Sequence, residues 1–252
     1  MKRIYTLLTA LTTMFSICNA QTTEQPMPTI KQMTKGNNEI SITLINHGSL
    51  AVEYKGFVIQ IDPVANFGGK QFDYKKNFKK TDVILVTHEH GDHLNPQTIE
   101  QLSSADTKIL LNAKSQAQLG KGEIMNNGDE VTIGEIKIKA VPAYNTTPGR
   151  ENFHPKGNGN GYLLTIDGTQ IYISGDTEDI PEMKELKDID LAFLSANQPY
   201  TMTPQQLVNA AKMFEPARLV PYHLGETSFD AIRNGLDTEA TFCKYELWEQ
   251  LR

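Results

Sequence analysis

The stretch Thr87-His88-Glu89-His90-Gly91-Asp92-His93-Leu94, THEHGDHL, holds three of the chain's six histidines. It follows directly on Val83-Ile84-Leu85-Val86, an apolar run typical of a buried strand. His88 and His90 are two apart, so an extended backbone points both side chains to one side. Asp92 and His93 come just before Asn95-Pro96, which reads as an N-cap followed by proline at the first helical position. That helix is expected to run through Leu102. One short segment therefore aims four donors at a small volume from two directions. A solvated polar loop is the bland alternative, and H-x-H-x-D-H after an apolar strand argues against it. Two imidazoles suit one borderline metal ion, while a carboxylate and a third imidazole suit a second ion close by. No cysteine lies near, so the donors are nitrogen and oxygen only. Zn2+ fits such a set, and so do Mn2+ and Fe2+.

Outward from this stretch the chain repeats one grammar. Residues 40–45 alternate in polarity, and residues 50–54 and 57–61 flank Lys55-Gly56, a hairpin signal. In the second half, residues 162–166 and 170–174 flank Asp167-Gly168. Leu191-Ala192-Phe193-Leu194 is another apolar strand, and Thr203-Pro204-Gln205-Gln206 is a capping box opening a helix to about Phe214. Asp82 to Thr87 can be laid on Asp190 to Ser195. The distance from Asp82 to Pro96 is fourteen positions, as it is from Asp190 to Pro204. This reads as a duplicated β-rich unit. Two such units, packed sheet on sheet with helices outside, predict a four-layer α/β/β/α sandwich. Only the first loop carries ligands. Its counterpart, Ala196-Asn197-Gln198-Pro199-Tyr200-Thr201-Met202-Thr203, is expected across the cleft, with Tyr200, Thr201 and Met202 facing substrate.

The 252 residues allow one large domain or two small ones. Lys2 and Arg3, an apolar run over residues 4–17, and small residues at Cys18 and Ala20 read as a secretory signal peptide over residues 1–20. The run is too short and too rich in threonine for a spanning helix. Bulky Ile17 disfavours a lipid anchor at Cys18. Residues 21–38 are polar, carry Pro26 and Pro28, and read as a linker before a domain at 39–252. Export to the periplasm or the medium follows, with no membrane segment after cleavage. Cleavage would leave Cys243 alone, so no intramolecular disulfide could form. The chain has 24 basic and 30 acidic residues, and losing Lys2 and Arg3 would leave a balance of −8. That disfavours nucleic acid as a partner and leaves a small-molecule substrate. Nothing in the sequence fixes an oligomeric state.

Thr87 to His93 resembles the signature of the metallo-β-lactamase superfamily, and the order of later motifs agrees over about residues 39–224. The resemblance implies the four-layer sandwich inferred above. It implies that His88 and His90 bind a first metal, and that Asp92 and His93 bind a second. Ser174-Gly175-Asp176-Thr177 matches the motif whose aspartate bridges both metals. Pro221-Tyr222-His223-Leu224 matches the final histidine, a ligand of the second. Asp176 ends an apolar strand in a glycine-flanked turn, where active-site carboxylates tend to sit, and His223 follows Leu219-Val220. One position departs: the family's histidine after the strand at residues 136–141 is replaced near Asn145. The next histidine is His154, in a long glycine-rich loop over residues 145–161 that suits a ligand or a lid. His154 is therefore the expected replacement. His47, in Asn46-His47-Gly48-Ser49, is expected behind the ligands or facing substrate. Asp62, before Pro63, resembles the aspartate that orients a metal-binding histidine.

Among family branches, the chain looks closest to lactonase-like and phosphodiesterase-like hydrolases. The implied mechanism is attack by a metal-bound hydroxide on an ester, lactone or phosphodiester, with two Zn2+ per chain. Asp92 would orient the water or accept its proton. His154 or His47 would face the developing oxyanion. The aromatic loop over residues 67–74 and Phe153 are candidates for contact with the rest of the substrate. A di-iron oxidoreductase, a nuclease and a non-catalytic metal scaffold are the competing readings.

Overall fold

The computed structural model describes residues 27–252, so the signal-peptide segment and Cys18 lie outside the described residues. Two seven-stranded sheets organise the chain. The first contains β1 (Thr29–Met33), β2 (Glu39–Asn46), β3 (Ser49–Tyr54), β4 (Phe57–Ile61), β5 (Val83–Val86), β6 (Lys108–Leu111) and β7 (Glu123–Ile124), in that spatial order. The second contains β8 (Glu130–Ile133), β9 (Ile136–Ala143), β10 (Gly159–Ile166), β11 (Thr169–Ile173), β12 (Leu191–Ser195), β13 (Arg218–Tyr222) and β14 (Lys244–Tyr245), again in order. In both sheets the first three pairings are antiparallel and the last three parallel. The sheets thus share one topology, as the internal repeat predicts.

Local chemistry explains the matching elements. The turns Lys55-Gly56 and Asp167-Gly168 both have positive φ at both residues, the twist that two-residue hairpins require. Helices α1 (Pro96–Leu102) and α2 (Ala113–Leu119) follow β5 and β6, and α3 (Pro204–Phe214) and α4 (Phe229–Glu239) follow β12 and β13. Asn95 caps α1 through the Thr98 amide at 2.8 Å. Thr203 and Gln206 form a reciprocal capping box on α3.

The central strands are buried on both faces. Ile59, Val83 and Leu85 meet Ile138, Leu164, Ile171 and Phe193 between the sheets. The alternate residues Ile84 and Val86 pack under Ile99 and Leu102 of α1. In the second half, Ala192 and Leu194 pack under Leu207, Val208 and Ala211 of α3. Helix, sheet, sheet and helix therefore stack in four layers. Truncation at the sheet–sheet interface, for example Phe193→Ala, would cost about 3–5 kcal/mol.

One boundary moves. Thr29–Met33, inside the segment read as a linker, pairs with β2 over five residue pairs, and Ile30 is buried in the inter-sheet core. An edge strand needs only one inward apolar residue here, so Thr29, Lys31 and Gln32 look like linker. Among the described residues no helix is long and apolar enough to cross a membrane.

Candidate metal centre

All six histidines converge beyond the ends of β2, β5 and β13 and in the loop between β9 and β10. The construction begins at Thr87, just past β5. Its amide and its Oγ1 each donate to the Asp62 carboxylate, both at 2.7 Å. Asp62 is fully buried at the end of β4, and its Oδ2 lies 2.7 Å from His93 Nδ1. With the Nδ1 proton held by that carboxylate, the His93 Nε2 faces the cleft. Asp62 thus sits where the resemblance implied.

Three groups of donors lie within 4.8 Å of one another: His88, His90 and His154; His47, Asp92 and His223; and His88, His93 and Asp176. In the first, His88 Nε2 and His90 Nδ1 are 3.1 Å apart, and the His154 ring centroid lies 5.0 and 5.1 Å from theirs. His154, not Asn145, therefore joins this pair of histidines. Asn145 directs its Nδ2 to the carbonyls of Tyr200 and Arg150, at 2.7 and 3.2 Å, and so braces the loop. In the second group, Asp92 Oδ2 is 3.4 Å from both His47 Nε2 and His223 Nε2. The sequence placed His47 behind the ligands or toward substrate. The fold instead aims its Nε2 in among them.

Asp176 joins the groups. It follows the Ser174-Gly175 turn after β11, where Gly175 has φ +63 and a Cβ would meet the Asn160 carbonyl at 2.7 Å. Its carboxylate lies 3.3 Å from His154 Nε2 and 3.5 Å from both His93 Nε2 and His223 Nε2. Gly48 has a related steric cause: a Cβ there would come 2.8 Å from His93 Cε1. His47, Asp62 and His223 all have positive φ, a conformation that costs energy for non-glycine residues and clusters at functional sites.

The donors fit a metal. His154 Nε2 and Asp176 Oδ1 are buried and without a hydrogen-bond partner, which folded proteins avoid. His93 Nε2 and His223 Nε2 face each other at 3.0 Å, beside the Asp176 and Asp92 carboxylates. Burial and the nearby His223 lower the His47 pKa to about 4. Burial and His93 push His88 well below its usual range, and burial and His154 lower His90. Burial would raise Asp176 and Asp92, yet the surrounding imidazoles hold both well below the ordinary carboxylate range. His93 is the exception: against burial, the Asp176 and Asp62 carboxylates raise it to about 10. Ionised carboxylates beside the neutral imidazoles of His47, His88 and His90 suit metal binding.

The donors open into a cavity of about 570 Å3 whose walls include Phe67, Lys70, Phe153, Tyr200, Glu226 and Arg252. Phe67 stacks on His47 with centroids 4.0 Å apart. Phe153 meets Tyr200 edge-on at 5.0 Å. Tyr200 is exposed at the mouth of the cavity. Thr201 and Met202 are not at the mouth. Thr201 is buried with its Oγ1 accepting from the Asn197 amide at 2.6 Å, and Met202 lies in the core under α3. The chain must fold inward there to reach the cap of α3, which buries both.

A protein-family model described as a β-lactamase superfamily domain matches residues 41–223. A relative from Bacillus pumilus, named a UPF0173 metal-dependent hydrolase, is 32% identical over 194 residues, covering 72% of this chain and 84% of its own length. Another of that name from Ligilactobacillus salivarius is 34% identical over 191 residues, with 73% and 84% covered. A crystal structure from Parabacteroides distasonis, classed as a metal-dependent hydrolase, is 49% identical with a TM-score of 0.83, covering 88% of this chain and 99% of that one. The chain belongs to the β-lactamase superfamily and is an enzyme of its metal-dependent hydrolase branch.

Proposed function

We propose that the chain hydrolyses an ester, lactone or phosphodiester bond of a small substrate with two adjacent divalent ions, zinc foremost. The observation that carries this reading is the position of Asp176, between His88, His90 and His154 on one side and His47, Asp92, His93 and His223 on the other. Such ions, when bound, lower the pKa of water and polarise the oxygen under attack. The chain's own residues supply the rest. Asp62 holds the His93 ring in place. Asp92, with 30% of its side chain exposed against 4% for Asp176, is the better placed of the two carboxylates to orient the attacking water or take its proton. Phe67, Phe153 and Tyr200 offer an apolar wall, while Lys70 and Arg252 can meet an anionic group. The sequence of residues 1–20 supports export, and the balance of −8 that its removal would leave argues against nucleic acid as substrate.

A screen of chromogenic esters, lactones and phosphodiesters on the purified chain, with metal content measured alongside, tests the reading. Turnover of one substrate class that chelation abolishes is the expected result. Iron content without any hydrolysis would favour the oxidoreductase alternative.

A further inference from the structure

The donor that completes the first group is carried on an irregular connection. Residues 144–158, between β9 and β10, contain no strand or helix, and His154 sits inside them. A ligand on a loop is imprecise unless neighbouring groups lock it. The far end of this loop is locked at Tyr200, whose carbonyl meets His154 Nδ1 at 3.1 Å and accepts from Asn145 Nδ2 at 2.7 Å. The Asn145 amide also donates to the His154 carbonyl at 2.8 Å.

The near end is locked by a residue outside the cleft. Glu178 is fully buried, two positions after Asp176. Its Oε2 accepts from the Thr147 amide at 2.6 Å, the Thr146 amide at 2.8 Å and Thr146 Oγ1 at 3.1 Å. Arg150 Nη1 stands 3.6 Å from Oε1. Glu178's own amide donates to the Tyr144 carbonyl at 3.0 Å. A buried carboxylate is costly unless paired, and every one of these side-chain partners belongs to the loop that carries His154. None of His47, Asp92, His93 and His223 lies on that loop.

We propose that Glu178 is a positioning residue, a buried latch that fixes the His154 loop and so sets the affinity of the first metal position but not the second. The proposal rests on reading His88, His90 and His154 as one metal-binding set.

The test titrates metal-free full-length chain with Zn2+ alone against a competing chelator. Wild type should bind two ions. Glu178→Ala should weaken one of them by about 10–100-fold and leave the other unchanged, reproducing the pattern of His154→Ala. Glu178→Gln keeps an acceptor for the Thr146 and Thr147 amides and should stay close to wild type. Should Glu178→Ala not fold, Thr147→Pro removes the shortest donor from a partly exposed position and should show the same selective loss. Two ions held at wild-type affinity in the latch variants, or equal weakening of both, would overturn the latch. Fewer than two ions in wild type would overturn the metal reading itself, and the latch with it.

Discussion

In the first half, β5 runs into residues 87–94 and delivers four donors; in the second, β12 runs into residues 196–203 and delivers none. The two strands hold equivalent places, each fifth in its sheet, and each leads to a helix with a side-chain cap. The duplicated scaffold therefore places two equivalent loops at one cleft, and side-chain chemistry divides the labour between them. The first loop offers imidazole and carboxylate donors. The second works through its backbone, with the Tyr200 carbonyl holding both Asn145 and His154. Fold and function separate cleanly here: the repeat builds the cleft, and the loops decide its use.

Substitutions in paired positions of the two halves should give unequal results. His88→Ala should lower turnover on the order of 10³-fold, since metal assistance supplies several kcal/mol of barrier lowering. Its far-UV circular dichroism should match wild type, and full activity would break the assignment. Asp62 and Ser174 are the next pair, each directly following the fourth strand of its sheet. Asp62→Ala should weaken zinc binding by about 10–100-fold, because His93 loses its orienting carboxylate. Ser174→Ala deletes a hydroxyl that accepts from the Ser195 amide. It should cost about 1 kcal/mol in urea unfolding and leave zinc binding alone. Tyr200→Ala keeps the bracing carbonyl, so only the aromatic wall is lost. A rise of a few-fold in KM with little change in kcat is the expected signature, and a collapse of kcat would assign the ring a larger role.

The smallest effect concerns the two hairpin turns. Asp167, unlike Lys55, accepts from Thr34 Oγ1 and Asn38 Nδ2, at 2.6 and 2.7 Å, and ties the β1–β2 turn to the second sheet. Those bonds lower its pKa. The folded value lies below the unfolded one, so the contribution is present above the ordinary aspartate range and is lost as pH falls through the lowered value. Asp167→Ala should flatten the acid side of a plot of urea midpoint against pH. An unchanged slope would show the tie to be inert.

Much of this comparison is legible in the sequence because its causes are local. Hairpin turns, caps and apolar strands are set by residues a few positions apart, and the register of Asp82 on Asp190 follows from them. Four donors lie inside seven residues, and Asp176 and His223 each follow an apolar strand. What stays hidden depends on distance along the chain. His47 becomes a donor only because His223, 176 positions later, brings its ring centroid within 3.7 Å. The one cue is a histidine at a strand end beside a glycine, and Gly48 is needed there because the His93 ring packs against it. Glu178 gives no local signal, since its partners lie about 30 residues earlier. β1 is missed because a single buried isoleucine carries its inward face. Thr201 and Met202 are misplaced because loop composition does not reveal which residues turn inward.

On the proposed reading, one cleft, unequally furnished by two equal halves, holds a pair of catalytic divalent ions. The most direct measurement is metal content of the purified chain before and after chelation, with turnover of a responsive chromogenic substrate followed in the same samples. The account predicts two ions per chain, loss of turnover in step with their removal, and recovery when Zn2+ is returned. A chain that turns over substrate equally well with and without metal would contradict it.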